Sequence, residues 1–201
     1  MAVPRTKEAF EAMRENTRLK IETAALPLFA RKGLSVTVGE LAQAAEVSKG
    51  LLYSHYPSKE ALIAELVRQA TVISGQKIKE IALSGDAAAE KVKQISAMMC
   101  QMLTDYPVGI DYFMFMVQVG MSGFPMREMG YNPDLPNPVE SLARIISTGQ
   151  NEGSVVDGAP ELLASVYWAT IQGLCCYAVT GLPLSPNPAM LSRILLKESF
   201  L

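Results

Sequence analysis

Histidine is nearly absent. His55 is the only one in 201 residues, so a serine- or cysteine-type triad with a histidine base would have to be built on that single side chain. Cysteine is scarce as well. Cys100, Cys175 and Cys176 lie in apolar surroundings with no C-x-x-C or His-rich spacing, which argues against a disulfide framework or zinc and for small buried thiols in a reducing cytoplasm. No phosphate loop or dinucleotide fingerprint occurs. Asp105 and Asp111 bracket Tyr106-Pro107 with no third ligand near in sequence. The N-terminus lacks an apolar signal core and the C-terminal E-S-F-L lacks a lipidation cysteine. No catalytic residue, metal or cofactor is expected.

Charge is sparse too. Only 19% of residues are charged against 49% hydrophobic, with a net charge of −2, which excludes disorder and any protein that coats nucleic acid by bulk charge. The charge is unevenly shared. Residues 1–68 carry ten cations against eight anions, whereas the rest carries eight against twelve, a locally basic head on an acidic body. Leu162 to Ser192 holds no charge at all. Its first 20 or so residues match a bilayer span in length. Ser165, Thr170, Gln172 and Thr180 dilute the run and no basic cluster flanks it, so a bundle or dimer helix is expected and no membrane partner.

What is there is concentrated between Val36 and Leu62. Thr37 is a helix-start residue, and Val38, Leu41, Ala42 and Ala45 follow at i, i+3, i+4 and i+7. A turn at Glu46-Val47-Ser48 leads to a second short helix, capped by Ser48 and running through His55, that buries Leu52 and Tyr56. Its other side presents Lys49, Gly50, Leu51, Tyr53, Ser54 and His55. The first three fall at the N-terminal end, where a recognition helix meets base edges. Lysine donates to guanine acceptors, leucine meets a thymine methyl, and glycine lets the backbone approach. Tyr53, His55 and Lys59 suit phosphate, and Ser58 starts a further helix whose free N–H groups add to the Lys59 ammonium.

The run T-V-G-E-L-A-Q-A-A-E-V-S-K-G-L-L-Y-S-H-Y-P-S-K-E-A-L, with I-E-T-A-A-L-P-L-F-A-R-K-G upstream, resembles the DNA-binding region of the tetracycline-repressor (TetR) family over residues 16–66. The resemblance implies DNA contacts at Thr37, Lys49, Gly50, Leu51, Tyr53, Ser54, His55 and Lys59. Two departures stand out. Glu46 occupies a turn position where many members have glycine, and Pro27 lies inside the first helix.

The expected fold is all-α, with about nine helices. Residues 1–57 make a three-helix helix-turn-helix domain, and residues 58–201 a helical ligand-binding and dimerisation domain. A helix from Lys7 to Lys32 ends at Gly33, and one of some 25 residues starts at Ser58. Asp86 caps the next, through about Tyr106; Gly123 to Pro138 is a loop; helices follow over Pro138–Asn151, from Pro160 to about Thr180, and from Pro188 onward. Met98, Met99, Met102, Met114, Met116 and Met121 interleave with aromatics, a pattern that serves a plain core or an effector pocket equally well. The resemblance favours a pocket. Its candidate lining is Met98, Met102, Tyr106, Tyr112, Phe113, Met116, Tyr167, Trp168 and Gln172. Ala169 and Gly173, four apart, let two helices approach closely, and the resemblance implies dimerisation through the last two long helices; the candidate interface is Leu162, Val166, Ala169, Gly173, Leu191, Ile194 and Leu195.

The expected protein is thus a cytoplasmic, homodimeric, sequence-specific regulator of transcription and not an enzyme. It binds a pseudo-palindromic double-stranded DNA operator and leaves it when a small apolar or amphipathic effector binds. The rivals are a helical enzyme or carrier that retains a helix-turn-helix, and a membrane-tethered regulator.

Overall fold

The computed structural model describes residues 7–105, 107–125, 137–180 and 186–201. Among them are nine α-helices: α1 (Lys7–Lys32), α2 (Val38–Ala44), α3 (Lys49–His55), α4 (Lys59–Leu83), α5 (Ala88–Asp105), α6 (Pro107–Met121), α7 (Pro138–Asn151), α8 (Pro160–Val179) and α9 (Pro188–Ser192). The chain divides into two compact units. One comprises Met1–Val67 with Phe115–Tyr131, the other Arg68–Met114 with Asn132–Leu201. Residues 1–57 thus lie within the first unit, which continues to Val67 and takes in a later segment.

In the first unit, α1 runs unbroken through Pro27 and buries Ile21, Ala25, Leu26 and Phe29. Gly33, at φ +75, closes it with a bond from its N–H to the Phe29 carbonyl, the left-handed C-cap that glycine adopts without strain. Phe29 meets Phe115 of α6 at a ring-centroid distance of 5.9 Å. The short helices α2 and α3 could not persist alone. They are held by Leu41, Leu52, Leu62 and Leu66, each 1% exposed or less, and by side-chain caps at both N-termini.

In the second unit, α7 packs against α8, and α5 against α7, α8 and α9. Asp86 does not cap α5, contrary to expectation. Its carboxylate is taken by Ser84 and Gln94, and the Ala88 N–H donates to Glu152, 64 residues away, at 3.0 Å. A cap of that kind is invisible to local pattern. Pro107 opens α6 as its first residue. The final helix also departs from expectation, since α9 ends at Ser192 after five residues. Leu195 and Leu196 beyond it are both buried. The chain instead forms an antiparallel bridge between Val155 and Leu196 and a short 3-10 turn at Glu198–Phe200. Gly149 permits the close approach of Val155 to α7.

Candidate nucleic-acid interface

α2 and α3 are set by their caps. The Thr37 hydroxyl accepts from the Glu40 N–H at 3.2 Å, and the Glu40 carboxylate accepts from the Thr37 N–H at 2.9 Å, a reciprocal capping box. The same carboxylate takes bonds from the Thr37 hydroxyl and Lys32. It is held at a pKa of about 2, chiefly by the Thr37 N–H. Thr37 is therefore occupied as a cap, with its hydroxyl committed within the protein. Ser48 caps α3 by accepting from the Leu51 N–H at 3.0 Å.

Between them, Glu46 has φ 50. Its N–H donates to the Gln43 carbonyl, and the Val47 N–H to Ala42, at 3.0 and 2.9 Å. That pair of bonds is a Schellman motif with a glutamate where glycine fits best. The turn so formed is the tight one, and the non-glycine residue bears its strain. The Glu46 carboxylate is paired with Lys20 at 2.9 Å, which lowers its pKa.

Lys49, Gly50, Leu51, Tyr53 and Ser54 are all exposed, and His55 is half-buried. α3 therefore offers one continuous outward face while Leu52 is fully buried behind it. The Lys49 ammonium lies beside Gly39 of α2, and no carboxylate pairs with it among the described residues. Ser54 donates to the Leu51 carbonyl. Lys59 is more engaged than the sequence indicates: its ammonium donates to the Leu34 carbonyl at 2.7 Å, leaving two protons for an anion. Ser58 caps α4 through the Ala61 N–H. The N–H groups of Lys59 and Glu60 have no hydrogen-bond partner among the described residues, so the α4 start stays open to phosphate.

Pattern reading missed a buried polar cluster behind this face. Glu22 of α1 is 4% exposed and accepts a hydrogen bond from the Tyr56 hydroxyl, directly after α3. Arg18 lies 3.7 Å from Glu22 and 3.4 Å from Glu65 of α4. Burial, then the Glu22 bond, holds the Tyr56 phenol well above its ordinary 10.0. The cluster ties α1 and α4 to the C-terminal end of α3. Its signal in the sequence is a carboxylate inside the apolar stripe, three and four residues before Ala25 and Leu26.

Residues 21–66 match the family model described as bacterial regulatory proteins, tetR family. Over these residues, the chain is similar to the TetR family. An HTH-type transcriptional regulator of Bacillus subtilis, YuxN, is 41% identical over 76 residues, which cover 37% of this chain and 26% of YuxN. The chain thus spans about a quarter of that relative's length in the match. Among solved structures, a gamma-butyrolactone receptor aligns over 93% of this chain and 91% of its own, with TM-score 0.71 and 21% identity. The ketosteroid transcriptional regulator KstR2 of Mycobacterium tuberculosis aligns over 90% and 95%, with TM-score 0.68 and 20% identity. These two share the fold.

The positions that the TetR resemblance assigned to a pocket are dispersed in character. Met98, Met102, Tyr112, Phe113, Met116 and Trp168 are half-buried, and Tyr106 lies outside the described residues. Tyr112 donates to Gln69 at 2.8 Å. Tyr167 is fully buried and bonded to Ser96 at 3.0 Å. Gln172 is exposed, so its amide does not face the interior; the inward residues of α8 are Ala164, Tyr167, Ile171 and Cys175. Of the interface candidates, Leu162, Val166 and Ala169 are exposed and Gly173 has open space beside it. Leu191 and Leu195 are not available to a second copy, because both are buried in their own unit, while Ile194 is half-buried. Cys176 is exposed, unlike the buried Cys100 and Cys175.

Proposed function

We propose that this chain is a homodimeric transcriptional repressor that reads a pseudo-palindromic operator through α3 and leaves it when a small neutral ligand binds in the second unit. The observation that carries the reading is the outward face of α3. It presents a lysine without a carboxylate, a glycine and two hydroxyls on a helix pinned from behind, inside the family match. Lys49, Gly50 and Leu51 read bases; Tyr53, His55, Lys59 and the α4 start hold phosphates.

Dimerisation is supported by α8. Leu162 is 64% exposed, Val166 47% and Tyr177 56%, and with Ala169 and Gly173 they form an apolar stripe too continuous for an isolated helix face. α8 is also long and apolar enough to cross a bilayer. Its other face is built into a protein core, which favours a second copy in the cytoplasm over lipid.

The switch is a population shift. α4 begins at the phosphate site and continues as one helix into the second unit, so a ligand that favours one placement of its far end biases the near end. Only differential affinity for the two states moves the equilibrium. The relatives' names, a gamma-butyrolactone receptor and a ketosteroid regulator, agree with a largely apolar effector.

Selection of bound sequences from random DNA tests the whole. The expected result is two half-sites related by a two-fold axis and spaced by a whole number of helical turns, released by neutral compounds. A bound site without two-fold symmetry, or a monomer in sedimentation at micromolar concentration, ends the dimer reading. Gly173→Leu should force the facing helices apart and yield monomers.

A further inference from the structure

Neighbouring aromatics on α8 end in opposite ways. Tyr167 and Trp168 pack edge to face, with ring centroids 5.8 Å apart at 88°. The Tyr167 hydroxyl is satisfied by Ser96. The Trp168 indole Nε1 is buried and has no hydrogen-bond partner among the described residues. An indole nitrogen has one proton and no lone pair to offer, so only an acceptor can satisfy it. Buried donors are paired so regularly that this one needs an explanation.

The surroundings define which acceptor. Glu161, the one charged residue of α8, lies in its exposed first turn. Burial pushes the Cys100 and Cys175 thiols up, the latter to about 12, so both stay neutral. On the helices packed against α8, Lys91 is committed to the Ala82 carbonyl, and Lys93 and Arg144 reach solvent. A carboxylate or phosphate brought here would meet one neutral donor and keep most of its desolvation penalty. A carbonyl oxygen asks for no counter-ion.

We propose that the Trp168 indole N–H is the polar recognition point of the effector site, and that it selects neutral ligands bearing a ketone- or ester-type carbonyl on an apolar frame. This rests on the effector reading above and narrows it to a chemical class. The indole donates to the carbonyl oxygen.

Trp168 is the chain's single tryptophan, so the protein has one indole N–H resonance, and tryptophan replacement alters one site. The test titrates the full chain with acetophenone and 2-nonanone, and with the hydrocarbons in which C=CH2 replaces C=O. The indole proton should move downfield with the ketones alone, and the ketones should bind roughly five- to tenfold more tightly, the size of one net hydrogen bond. Benzothienylalanine at position 168 keeps the ring shape and puts sulfur in place of N–H. It should erase the ketone advantage and leave hydrocarbon binding unchanged. Equal affinities with a stationary indole proton would overturn the carbonyl assignment and leave a neutral-effector site standing. No binding of either class at millimolar concentration, with DNA binding intact, would overturn the neutral-effector reading as well.

Discussion

The two units treat their polar groups differently. In the first, the side chains around α2 and α3 are committed to one another: Thr37 with Glu40, Lys20 with Glu46, Glu22 with Tyr56 and Arg18, Lys59 with Leu34. In the second, α8 leaves an apolar stripe exposed and one indole N–H unpaired among the described residues. A reading surface gains from being rigid before it meets its target, because ordering costs are then met in advance. A switch gains from being incomplete, because only a state that can still be completed responds to a ligand.

The contrast breaks most sharply at Gly149. A Cβ there would stand 2.3 Å from Val155 Cγ2 and 3.0 Å from Ala88 Cβ, in a buried position where helix and bridge close on each other. Gly149→Ala should destabilise the second unit by about 3 kcal/mol, the upper end of overpacking costs. Hydrogen exchange should quicken in α5 and α7 and stay slow in α1, and Val155→Ala should restore much of the loss. Uniform loss of protection in both units would show that they do not unfold separately.

The next effect lies in the first unit. Tyr56→Phe removes one donor from the buried Glu22 carboxylate and should cost about 1–3 kcal/mol, moderated by the half-exposed Arg18. It should also lower operator affinity without changing the salt slope, because no phosphate contact is removed. The Tyr56 phenol has a raised pKa. Its contribution is thus complete below the ordinary 10.0 and fades as pH rises beyond it. Urea titrations at pH 9 and 11 should show the penalty of Tyr56→Phe shrinking at the higher pH. A constant penalty would remove the hydrogen bond as its cause.

The sequence makes the first unit far more legible than the second. Thr37, Ser48 and Ser58 are local signals, readable because an N-cap acts within three residues. α1, α3, α4 and α7 accordingly lie where periodicity and caps place them. The cap that Glu152 lends to α5, the bridge that ends α9 early, and the burial of Leu191 and Leu195 depend on partners dozens of residues away. No window of neighbouring residues contains them. Gln172 illustrates the same limit: its polarity invites a role inside a pocket, and the packing of α7 on α8 turns it outward. Glu22 is the converse, a charge that pattern assigns to solvent and packing draws inside.

Within the proposed recognition face, the surroundings of Lys49 and Lys59 assign them different expected roles. Lys49 has no carboxylate partner among the described residues and stands at the N-terminal end of α3, so Lys49→Ala should cost roughly 1–3 kcal/mol on the preferred operator and much less on random DNA. Lys59 is anchored on Leu34 beside open backbone donors. Lys59→Ala should weaken all sequences alike and flatten the salt slope by about one unit. Fluorescence anisotropy at several salt concentrations separates the two. Equal losses on operator and random DNA for Lys49→Ala would sink the division.

The smallest effect is expected at Glu46, where two influences oppose. Its φ of 50 strains any residue with a Cβ, and glycine would remove that strain. Glycine would also loosen the unfolded chain and delete the ion pair to Lys20. That pair is exposed on both sides, with side chains 48% and 79% accessible, so water and salt screen it and its loss counts for little. Relief of the turn should win narrowly, and Glu46→Gly should raise the melting temperature slightly. Its effect on DNA should be the more informative. Freed from the carboxylate, the Lys20 ammonium becomes available to phosphate, so affinity should rise at low salt and the salt slope steepen. Lys20→Ala alone should weaken binding, since it leaves Glu46 unpaired near the DNA. In the double variant the benefit of Glu46→Gly should largely vanish, because no lysine remains to be released. An equal gain with and without Lys20 would mean that turn geometry, and not charge, governs how this residue acts on the interface.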